Sequence, residues 1–331
     1  MESYPFLCRK IPDRLCRQYE ELLREAQLRD EGNWEQTVLM LDDDDNILAC
    51  GSLGGRVLRQ IAVSEKASGL GLCATVVSEL VSSAAAEGKT KLFLFTKPKH
   101  LSMFSSLGFY PITQTSEILM MENSRNGLNL FLKSVPNVCG KVGAVVCNCN
   151  PFTLGHRHLI ETAASECDEV LVFVLSANRG LIPAEDRIEL VRCGCADLPN
   201  VHVVPGGDYI LSPETFPTYF IKEQDRTAKA QCELDVALFG LRIAPALGIK
   251  KRYLGEEPFD PITAQYNDYM KKALPESGIE LKVIPRFNNI SASYVRKMLL
   301  DGRVGEVREL LPRCTYEYCL RRFGDCSEIQ R

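Results

Sequence analysis

An apolar run, Val142–Cys147, is the feature that most constrains how this chain can fold. The run does not alternate polar and apolar residues, which is the pattern of a parallel strand buried on both faces of a sheet. A glycine-containing turn follows, then a helix with Leu159, Ile160 and Ala163 on one face, then a second apolar run, Glu169–Leu175. Strand, helix and strand in this order predict a βαβ unit, whose ligands bind beyond the carboxyl end of the first strand.

The rest of the second half repeats this alternation of strand and helix signals. The predicted elements are a helix near Asp186–Cys193, a strand at Val201–Val204, a long helix from about Gln224, and strands at Arg252–Leu254 and Glu280–Ile284. The alternation predicts that residues 142–331 form a doubly wound, Rossmann-like α/β domain with a parallel sheet.

Residues 1–131 have a different pattern and predict a separate α+β domain. A helix with Leu15 and Tyr19 on its apolar face, capped by Asp13, precedes a hairpin around the acidic turn Asp42–Asn46. We interpret that turn as a solvated loop tip. Residues 132–141 are polar and rich in turn formers, and we predict a linker there.

Composition excludes several classes of protein. The chain has 331 residues, enough for about two domains, with 45% hydrophobic and 25% charged residues, so it is neither disordered nor fibrous. A net charge of −4 without a basic stripe argues against nucleic-acid binding. No apolar run approaches the roughly 20 residues of a membrane span, and the N-terminus does not resemble a signal peptide.

The 14 cysteines mostly interrupt apolar segments, where cysteine serves as a small hydrophobic residue. This usage predicts a reducing compartment and hence a cytoplasmic protein. The pairs Cys147-x-Cys149 and Cys193-x-Cys195 lack the spacing of a zinc site, so we predict no protein-bound metal cluster.

The turn after the first buried strand carries the motif Thr153-x-Gly155-His156 at the start of a helix. Gly155 lacks a Cβ, so a phosphate can approach the backbone, and the helix N-terminus supplies N–H donors. We predict that His156 stabilises charge on an α-phosphate as pyrophosphate leaves, and that Thr153 adds a hydroxyl donor. His158 lies in the same turn, where a nucleotide contact and a surface role are both open.

A second motif, the segment Ile-Ser-Ala-Ser-Tyr-Val-Arg at residues 290–296, predicts another anion-binding helix start. Either Ser291 or Ser293 is expected to cap the helix. Arg296 is expected to reach the β- or γ-phosphate. The two helix starts together predict a clamp on a triphosphate.

The pairing of these two motifs resembles the nucleotidyltransferase superfamily, which includes pantetheine-phosphate adenylyltransferase and the class I aminoacyl-tRNA synthetases. In the first domain, the turn Lys66-x-x-Gly69-x-Gly71 between strand and helix resembles the pyrophosphate-binding turn of GNAT acetyltransferases. The segment Phe104–Phe109 resembles the C-terminal piece of that family. Residues 1–131 are therefore expected to have a GNAT-like fold.

Further segments narrow the resemblance to one family. They are Asn148–His156, Asp197–Val201, Pro205–Tyr209, Phe216–Phe220, Ala244–Ile249, Gly255–Phe259 and Ile290–Arg296. Together they resemble the citrate lyase ligase family, in which a GNAT-like domain also precedes the nucleotidyltransferase module. The resemblance covers nearly the whole chain.

The family resemblance implies a two-step ligase. ATP and acetate would form acetyl-adenylate and pyrophosphate, and the acetyl group would then pass to the prosthetic-group thiol of the citrate lyase acyl carrier protein, releasing AMP. Positioning and charge stabilisation carry such a reaction without a protein nucleophile. Mg²⁺ is the implied cofactor and bridges the phosphates.

The resemblance also implies roles for particular residues. His156, Thr153 and Arg296 are the implied catalytic residues. The implied ATP-binding residues are Asn148, Asn150, Pro151, Phe152, Gly155, His158, Ser291, Ser293 and Lys222. Lys66, Gly69 and Gly71 are candidates for holding the CoA-like arm of the prosthetic group. Arg187 is expected to pair with its neighbours in the fold.

Two departures from the family patterns bear on the substrate. The segment Ala177–Pro183 stands where members of the family tend to have acidic residues. This difference bears on which acyl group is the substrate more than on the ATP chemistry. Lys66 stands where acetyltransferases usually have Arg or Gln. Two alternatives stay open: an adenylyl- or cytidylyltransferase acting on a phosphorylated small molecule, and an N-acetyltransferase with a regulatory nucleotide-binding half.

Overall fold

The computed structural model describes residues 3–176, 180–211, 224–257 and 261–324. The described residues form two compact units: the first comprises residues 3–127 and 224–230, and the second comprises residues 128–211 and the described residues from Gln231 onward. Among the described helices, none is both long enough and apolar enough to span a bilayer.

The first unit is built on a seven-stranded sheet with the order β1-β2-β3-β4-β5-β7-β6. Its strands are β1 Tyr4–Cys8, β2 Gln36–Leu41, β3 Ile47–Gly54, β4 Val57–Val63, β5 Phe93–Thr96, β6 Tyr110–Gln114 and β7 Leu119–Glu122. Its helices are α1 Asp13–Glu25, α2 Leu72–Ala86 and α3 Leu101–Ser106. The predicted α+β character of the first half is confirmed.

Two hydrophobic clusters form the core of this unit. One includes α1 residues such as Leu15 and Tyr19, and the other includes Val76 and Leu80 of α2. The predicted cap at Asp13 is wrong, because Pro12 is the N-cap residue and Asp13 lies in the first turn. A carboxylate there still interacts favourably with the positive end of the helix dipole.

One strand pair in the first sheet is parallel. β4 and β5 pair in register at Val57–Phe93 and Leu58–Leu94, whereas the other paired strands of this sheet are antiparallel. β4 continues to Val63, five residues beyond its last recorded pairing with β5 at Leu58. Because β4 and β5 run in the same direction, the segments that follow them leave at the same end of the sheet.

The second unit contains a five-stranded parallel sheet with the order β10-β9-β8-β11-β12. Its strands are β8 Val142–Cys147, β9 Glu169–Val174, β10 Val201–Pro205, β11 Ile249–Gly255 and β12 Glu280–Ile284. The sheet confirms the predicted doubly wound parallel α/β fold. The strand order reverses between β8 and β11, and such a switch point is where ligands bind in open α/β sheets.

The described residues from Gly127 onward also contain eight α-helices. They are α4 Gly127–Ser134, α5 Leu154–Glu166, α6 Ala184–Gly194, α7 Gln224–Asp235, α8 Ala244–Ala246, α9 Pro261–Glu276, α10 Ala292–Leu300 and α11 Arg313–Phe323, with a π-helix at Val236–Ile243 between α7 and α8. Helix α7 belongs to the second unit only from Gln231. Helix α4 extends into the predicted linker at 132–141. Helices α5, α6 and α10 contribute Ile160, Val191 and Val295 to one buried cluster with the sheet.

Candidate active site

The geometry at the start of α5 fixes the tautomer of His156. Thr153 is the N-cap residue, and its Oγ1 accepts from the backbone N–H of His156 at 3.4 Å. In return, the backbone N–H of Thr153 donates to His156 Nδ1 at 3.1 Å, and Oγ1 lies 2.9 Å from the same nitrogen. Because Nδ1 accepts a hydrogen bond from the backbone, the proton of the neutral ring is on Nε2.

The surroundings of His156 keep its imidazole neutral. Burial, together with the positive charges of Arg286 and Arg296, lowers the pKa of His156 to about 4, and burial is the largest of these causes. The fully buried Phe152 stacks on the imidazole, with ring centroids 6.2 Å apart. Near pH 7, His156 therefore offers an Nε2–H donor and carries no charge of its own.

The second motif lies beside the first. Ser291 is the N-cap residue of α10, and its Oγ accepts from the backbone N–H of Tyr294 at 3.3 Å. Ser293 instead accepts from Arg296 Nη2 at 2.8 Å. Ser291 is thus the capping serine of the two predicted candidates. Arg296 Nη1 also donates to the carbonyl oxygen of Asn150 at 2.7 Å, which joins the two motifs directly.

A buried arginine forms hydrogen bonds with the loop between β8 and α5. Arg187 is fully buried; its Nε donates to the carbonyl of Ile182 at 3.1 Å, and its Nη1 donates to the carbonyl and side-chain oxygens of Asn148. This confirms the expected structural pairing of Arg187. Asn150 Oδ1 accepts from the backbone N–H of Ile182 at 3.1 Å. A Cβ at Gly180 would lie 2.2 Å from Asn150 Nδ2, so that close approach requires glycine.

Two residues of the site were not assigned a role from the sequence. Arg286 follows β12 and Glu257 follows β11, and Arg286 Nη2 donates to a Glu257 carboxylate oxygen at 2.8 Å. The ion pair is largely buried, and after burial the charge of Arg286 has the largest effect on the pKa of His156. Both residues come two positions after the end of a parallel strand, as Asn148 and Asn150 follow β8, and that shared position was the available signal.

Gly155 and His158 complete the first turn of α5. A Cβ at Gly155 would meet Thr153 Oγ1 at 3.5 Å and Ile290 at 3.7 Å, which is ordinary contact distance. The fold itself therefore accommodates a side chain at Gly155, so the open backbone is available for a ligand. His158 stacks on Phe287 with ring centroids 4.7 Å apart.

The remaining predicted site residues fall into three groups. Pro151 and Phe152 are buried, so the Phe152 side chain supports His156 from within the core. Lys222 lies outside the described residues. Lys66, Gly69 and Gly71 belong to the first unit, where Gly71 is the N-cap residue of α2, and Gly69 and Gly71 have φ values of +81° and +77°.

The site can bind and polarise an anion. It combines a neutral N–H donor, two guanidinium groups and the backbone N–H groups at the starts of α5 and α10. Glu257 is held in an ion pair with Arg286. Donors of this kind, preorganised by hydrogen bonds within the fold, stabilise charge that develops on a phosphate oxygen.

Comparison with known proteins places this chain in a family. Residues 142–319 match the family model for the citrate lyase ligase C-terminal domain. A "[Citrate [pro-3S]-lyase] ligase" of Escherichia coli strain K12 is 38% identical over 83% of this chain and 82% of its own length. The Klebsiella pneumoniae protein of the same name is 36% identical over 91% of this chain and 92% of its own length.

Among solved structures, a GNAT-family acetyltransferase from Staphylococcus aureus Mu50 is similar with a TM-score of 0.31 and 13% identity. The similarity covers 36% of this chain and 98% of that one. The family model and the similarity to the two ligases, which covers most of both chains, determine the family of this protein. The chain belongs to the citrate lyase ligase family.

Proposed function

We propose that this protein is an AMP-forming acid–thiol ligase that acetylates the prosthetic-group thiol of the citrate lyase acyl carrier protein, and thereby activates citrate lyase. Family membership supports the ligase activity. The observation that carries the chemical proposal is the neutral His156, whose Nε2–H is set by hydrogen bonds within the fold, beside Arg296 and Arg286.

The first step forms acetyl-adenylate. A carboxylate oxygen of acetate attacks the α-phosphorus of ATP, and the bond from that phosphorus to the bridging oxygen of pyrophosphate breaks. Carboxylate and phosphates are already ionised, so neither a general base nor an electron carrier is required. His156 donates from Nε2 to an α-phosphate oxygen, where negative charge increases as the five-coordinate arrangement forms.

The two arginines act on the leaving pyrophosphate. Arg296 is positioned by the carbonyl of Asn150 and by Ser293, so its guanidinium is ordered before ATP binds. Arg286 is positioned by Glu257 in the same way. A preorganised guanidinium loses less entropy on binding a phosphate than a mobile one. We assign both arginines to the β- and γ-phosphates.

The second step transfers the acetyl group. The thiol sulfur of the carrier protein's prosthetic group attacks the acetyl carbonyl carbon, the bond to the adenylate oxygen breaks, and AMP leaves as the thiol proton passes to solvent. The thioester and AMP are the balanced products. No side chain of the protein forms a bond to the acetyl group in this scheme.

Mg²⁺ would enter this site bound to the ATP phosphates, because the N–H and guanidinium groups described above suit phosphate oxygens. When bound, Mg²⁺ would neutralise charge on the phosphates. Asn148 and Asn150 are the candidates for orienting the metal-bound phosphates or the acetate. Gly155, His158, Ser291 and, outside the described residues, Lys222 complete the proposed ATP-binding set.

We further propose that the first unit holds the CoA-like arm of the prosthetic group at Lys66, Gly69 and Gly71. The two left-handed glycines and the uncapped start of α2 leave backbone N–H groups exposed for a phosphate. A Gly69→Glu substitution is expected to raise the KM for the holo carrier protein without changing acetyl-adenylate formation. An unchanged KM would rule out this role for the turn.

The cysteines support a reducing, cytoplasmic location. All 13 cysteines among the described residues are free thiols, and burial raises the pKa of Cys50, Cys195 and Cys319 to about 12. Thiols with such raised pKa values are poorly reactive, as expected for cysteines that serve as core residues.

The deciding experiment measures pyrophosphate release from ATP with and without acetate, with hydroxylamine present to trap an acyl-adenylate. We expect acetate-dependent release and acetyl-hydroxamate. With the holo carrier protein in place of hydroxylamine, we expect AMP and an acetyl thioester. Release that requires a phosphorylated metabolite, and that yields an adenylylated product, would instead identify an adenylyl- or cytidylyltransferase. Acetyl-CoA-dependent acetylation without ATP would identify an N-acetyltransferase.

A further inference from the structure

Two segments of the first unit leave its sheet at the same end. The parallel strands β4 and β5 are neighbours, so the segments that follow them leave the sheet on the same side. Residues 64–71 follow β4 and form the glycine turn, and residues 97–103 follow β5 and lead into α3. The turn proposed to hold the prosthetic arm and the β5 segment therefore lie at the same end of neighbouring strands.

Positive charge predominates in these two segments, which together contain three exposed lysines and one exposed glutamate, Glu65. Lys66, Lys97 and Lys99 are exposed, and none of the three makes an ion pair with any residue in the described ranges. Residues 97–109 contain no Asp or Glu. Lys89 of the same unit shows the contrast, because it pairs with Glu35 and Glu87.

His100 lies among these lysines and responds to their charge. Burial lowers the pKa of His100, and the nearby ammonium groups of Lys99 and Lys97 lower it as well. Two lysines close enough to disfavour a third positive charge define a local positive potential, which an approaching anionic partner would relieve.

Apolar side chains are interspersed with these lysines. Leu70 is 54% exposed in the glycine turn, and Leu101 and Met103 are each 36% exposed after β5. We call the combined surface the basic-apolar face. It consists of Lys66, Leu70, Lys97, Lys99, Leu101 and Met103.

We propose that the basic-apolar face docks an acidic surface of the carrier protein beside the turn that receives its prosthetic arm. The proposal rests on the proposed function, because a thiol arm attached to a protein brings that protein's surface to wherever the arm binds. Lysines without partners favour a partner of opposite charge, which steers its approach. Exposed leucine and methionine favour a protein surface over a free anion, because apolar contacts form the centre of protein interfaces.

The test is the double charge reversal Lys97→Glu with Lys99→Glu. We expect the KM for the holo carrier protein to rise about 10-fold or more at low ionic strength, with the difference from the unaltered protein shrinking as salt is added. Acetyl-hydroxamate formation from ATP and acetate, which needs no carrier protein, should stay unchanged. The matched control is Lys10→Glu with Arg17→Glu, which changes the net charge equally at exposed positions elsewhere in the same unit.

The apolar half of the face has its own variant. Leu101→Ser with Met103→Ser should also raise the KM for the carrier protein, with little dependence on salt. The docking proposal would be wrong if only the lysine variant raised the KM and if that variant lost binding to free pantetheine phosphate by the same factor. That result would identify a simple anion site. Loss of binding to RNA or to anionic lipid vesicles, with the carrier KM unchanged, would overturn it as well.

The outcome separates this proposal from the proposed function. If the unaltered protein makes no acetyl-hydroxamate, the proposed function fails. If it makes acetyl-hydroxamate and acetylates the carrier protein, but the Lys97 and Lys99 reversal changes the KM no more than the control does, only the docking surface is wrong.

Discussion

Both units of the chain present a glycine-containing turn at the start of a helix, yet the two turns are constructed differently. At α5, Thr153 and His156 cap each other, and the neighbouring Arg296 is anchored by Asn150. At α2, Gly71 is the N-cap residue with no side-chain cap, and a Cβ at Gly69 would meet no atom within 4 Å. We call the first arrangement, which is cross-linked by hydrogen bonds and partly buried, the rigid turn, and the second the open turn.

This difference matches what each turn is proposed to do. A group that stabilises a transition state must be held in place before the reaction, because reorganisation during the reaction costs rate. A turn that receives a flexible arm needs exposed N–H groups and space. Substitutions at α5 should therefore change the chemical step, and substitutions at α2 should change only the use of the carrier protein.

The largest effect is expected from His156→Ala. Loss of one preorganised donor to a reacting oxyanion typically lowers kcat by about 100- to 1000-fold, and we expect a loss of that size in acetate-dependent pyrophosphate release. His202→Ala is the matched control, because His202 contacts Glu169 on the neighbouring strand at 2.7 Å and has no proposed role. A loss below about tenfold for His156→Ala would contradict the assigned donor role.

Arg286→Gln should have the next largest effect. Removal of a charged hydrogen-bonding group costs about 1.5–3 kcal/mol, or roughly 10- to 100-fold in kcat/KM for ATP. The pH profile distinguishes this variant from a misfolded one. At total acetate concentrations high enough to keep the acetate ion saturating, activity requires neutral His156, so it is lost as the pH falls through about 4 in the unaltered protein. Without the charge of Arg286 the pKa of His156 rises, and the acid limb moves to higher pH.

The control for Arg286→Gln is Arg313→Gln, which breaks an exposed pair with Glu317. Exposed pairs contribute little, so kinetics and pH profile should match the unaltered protein. An acid limb in Arg286→Gln that stays where it was, or moves to lower pH, would show that Arg286 does not influence His156.

The sequence predicted the scaffold of the site better than its electrostatics. The apolar run at Val142–Cys147 and the alternation after it predicted the parallel sheet, because buried strands leave a strong local pattern. Thr153 and His156 lie three residues apart, so their capping contact follows from local geometry. The ion pair of Glu257 and Arg286 joins residues 29 positions apart, and its proximity to His156 depends on strand order.

The dependence on tertiary structure also explains why the sequence did not identify the capping residues of α1 and α10. Asp13 is a common capping residue, yet Pro12 occupies the cap, because the choice between adjacent residues depends on where the preceding chain turns. Ser291 and Ser293 were equivalent by composition, and the contact with Arg296 distinguishes them. The glycine turn in the first unit was visible because left-handed φ values strongly favour glycine.

Gly194→Ala tests whether the rigid region extends behind His156. A Cβ at Gly194 would lie 2.5 Å from the ring of Phe152, which stacks on His156. Overpacking of this kind costs about 1–3 kcal/mol, and we expect both a lower free energy of unfolding and a reduced kcat for pyrophosphate release. Gly194→Ala combined with Phe152→Leu should recover stability but not kcat. Full recovery of kcat would show that the ring contact with His156 is dispensable.

The smallest effect is expected at the open turn, from Gly69→Ala. Its φ of +81° lies in the left-handed region, and a side chain there costs about 1–2 kcal/mol even though the surrounding space is empty. Ser291→Ala removes the cap of α10 and should lower the free energy of unfolding by about 1 kcal/mol, so it is a control of similar stability.

Urea unfolding checks that the two variants are equally destabilised. At equal destabilisation, Ser291→Ala should slow acetyl-hydroxamate formation and Gly69→Ala should not, because only the first of the two substitutions loosens a helix start that positions Arg296. Equal rates in the two variants would mean that the rigid and open turns do not differ in their contribution to the chemical step.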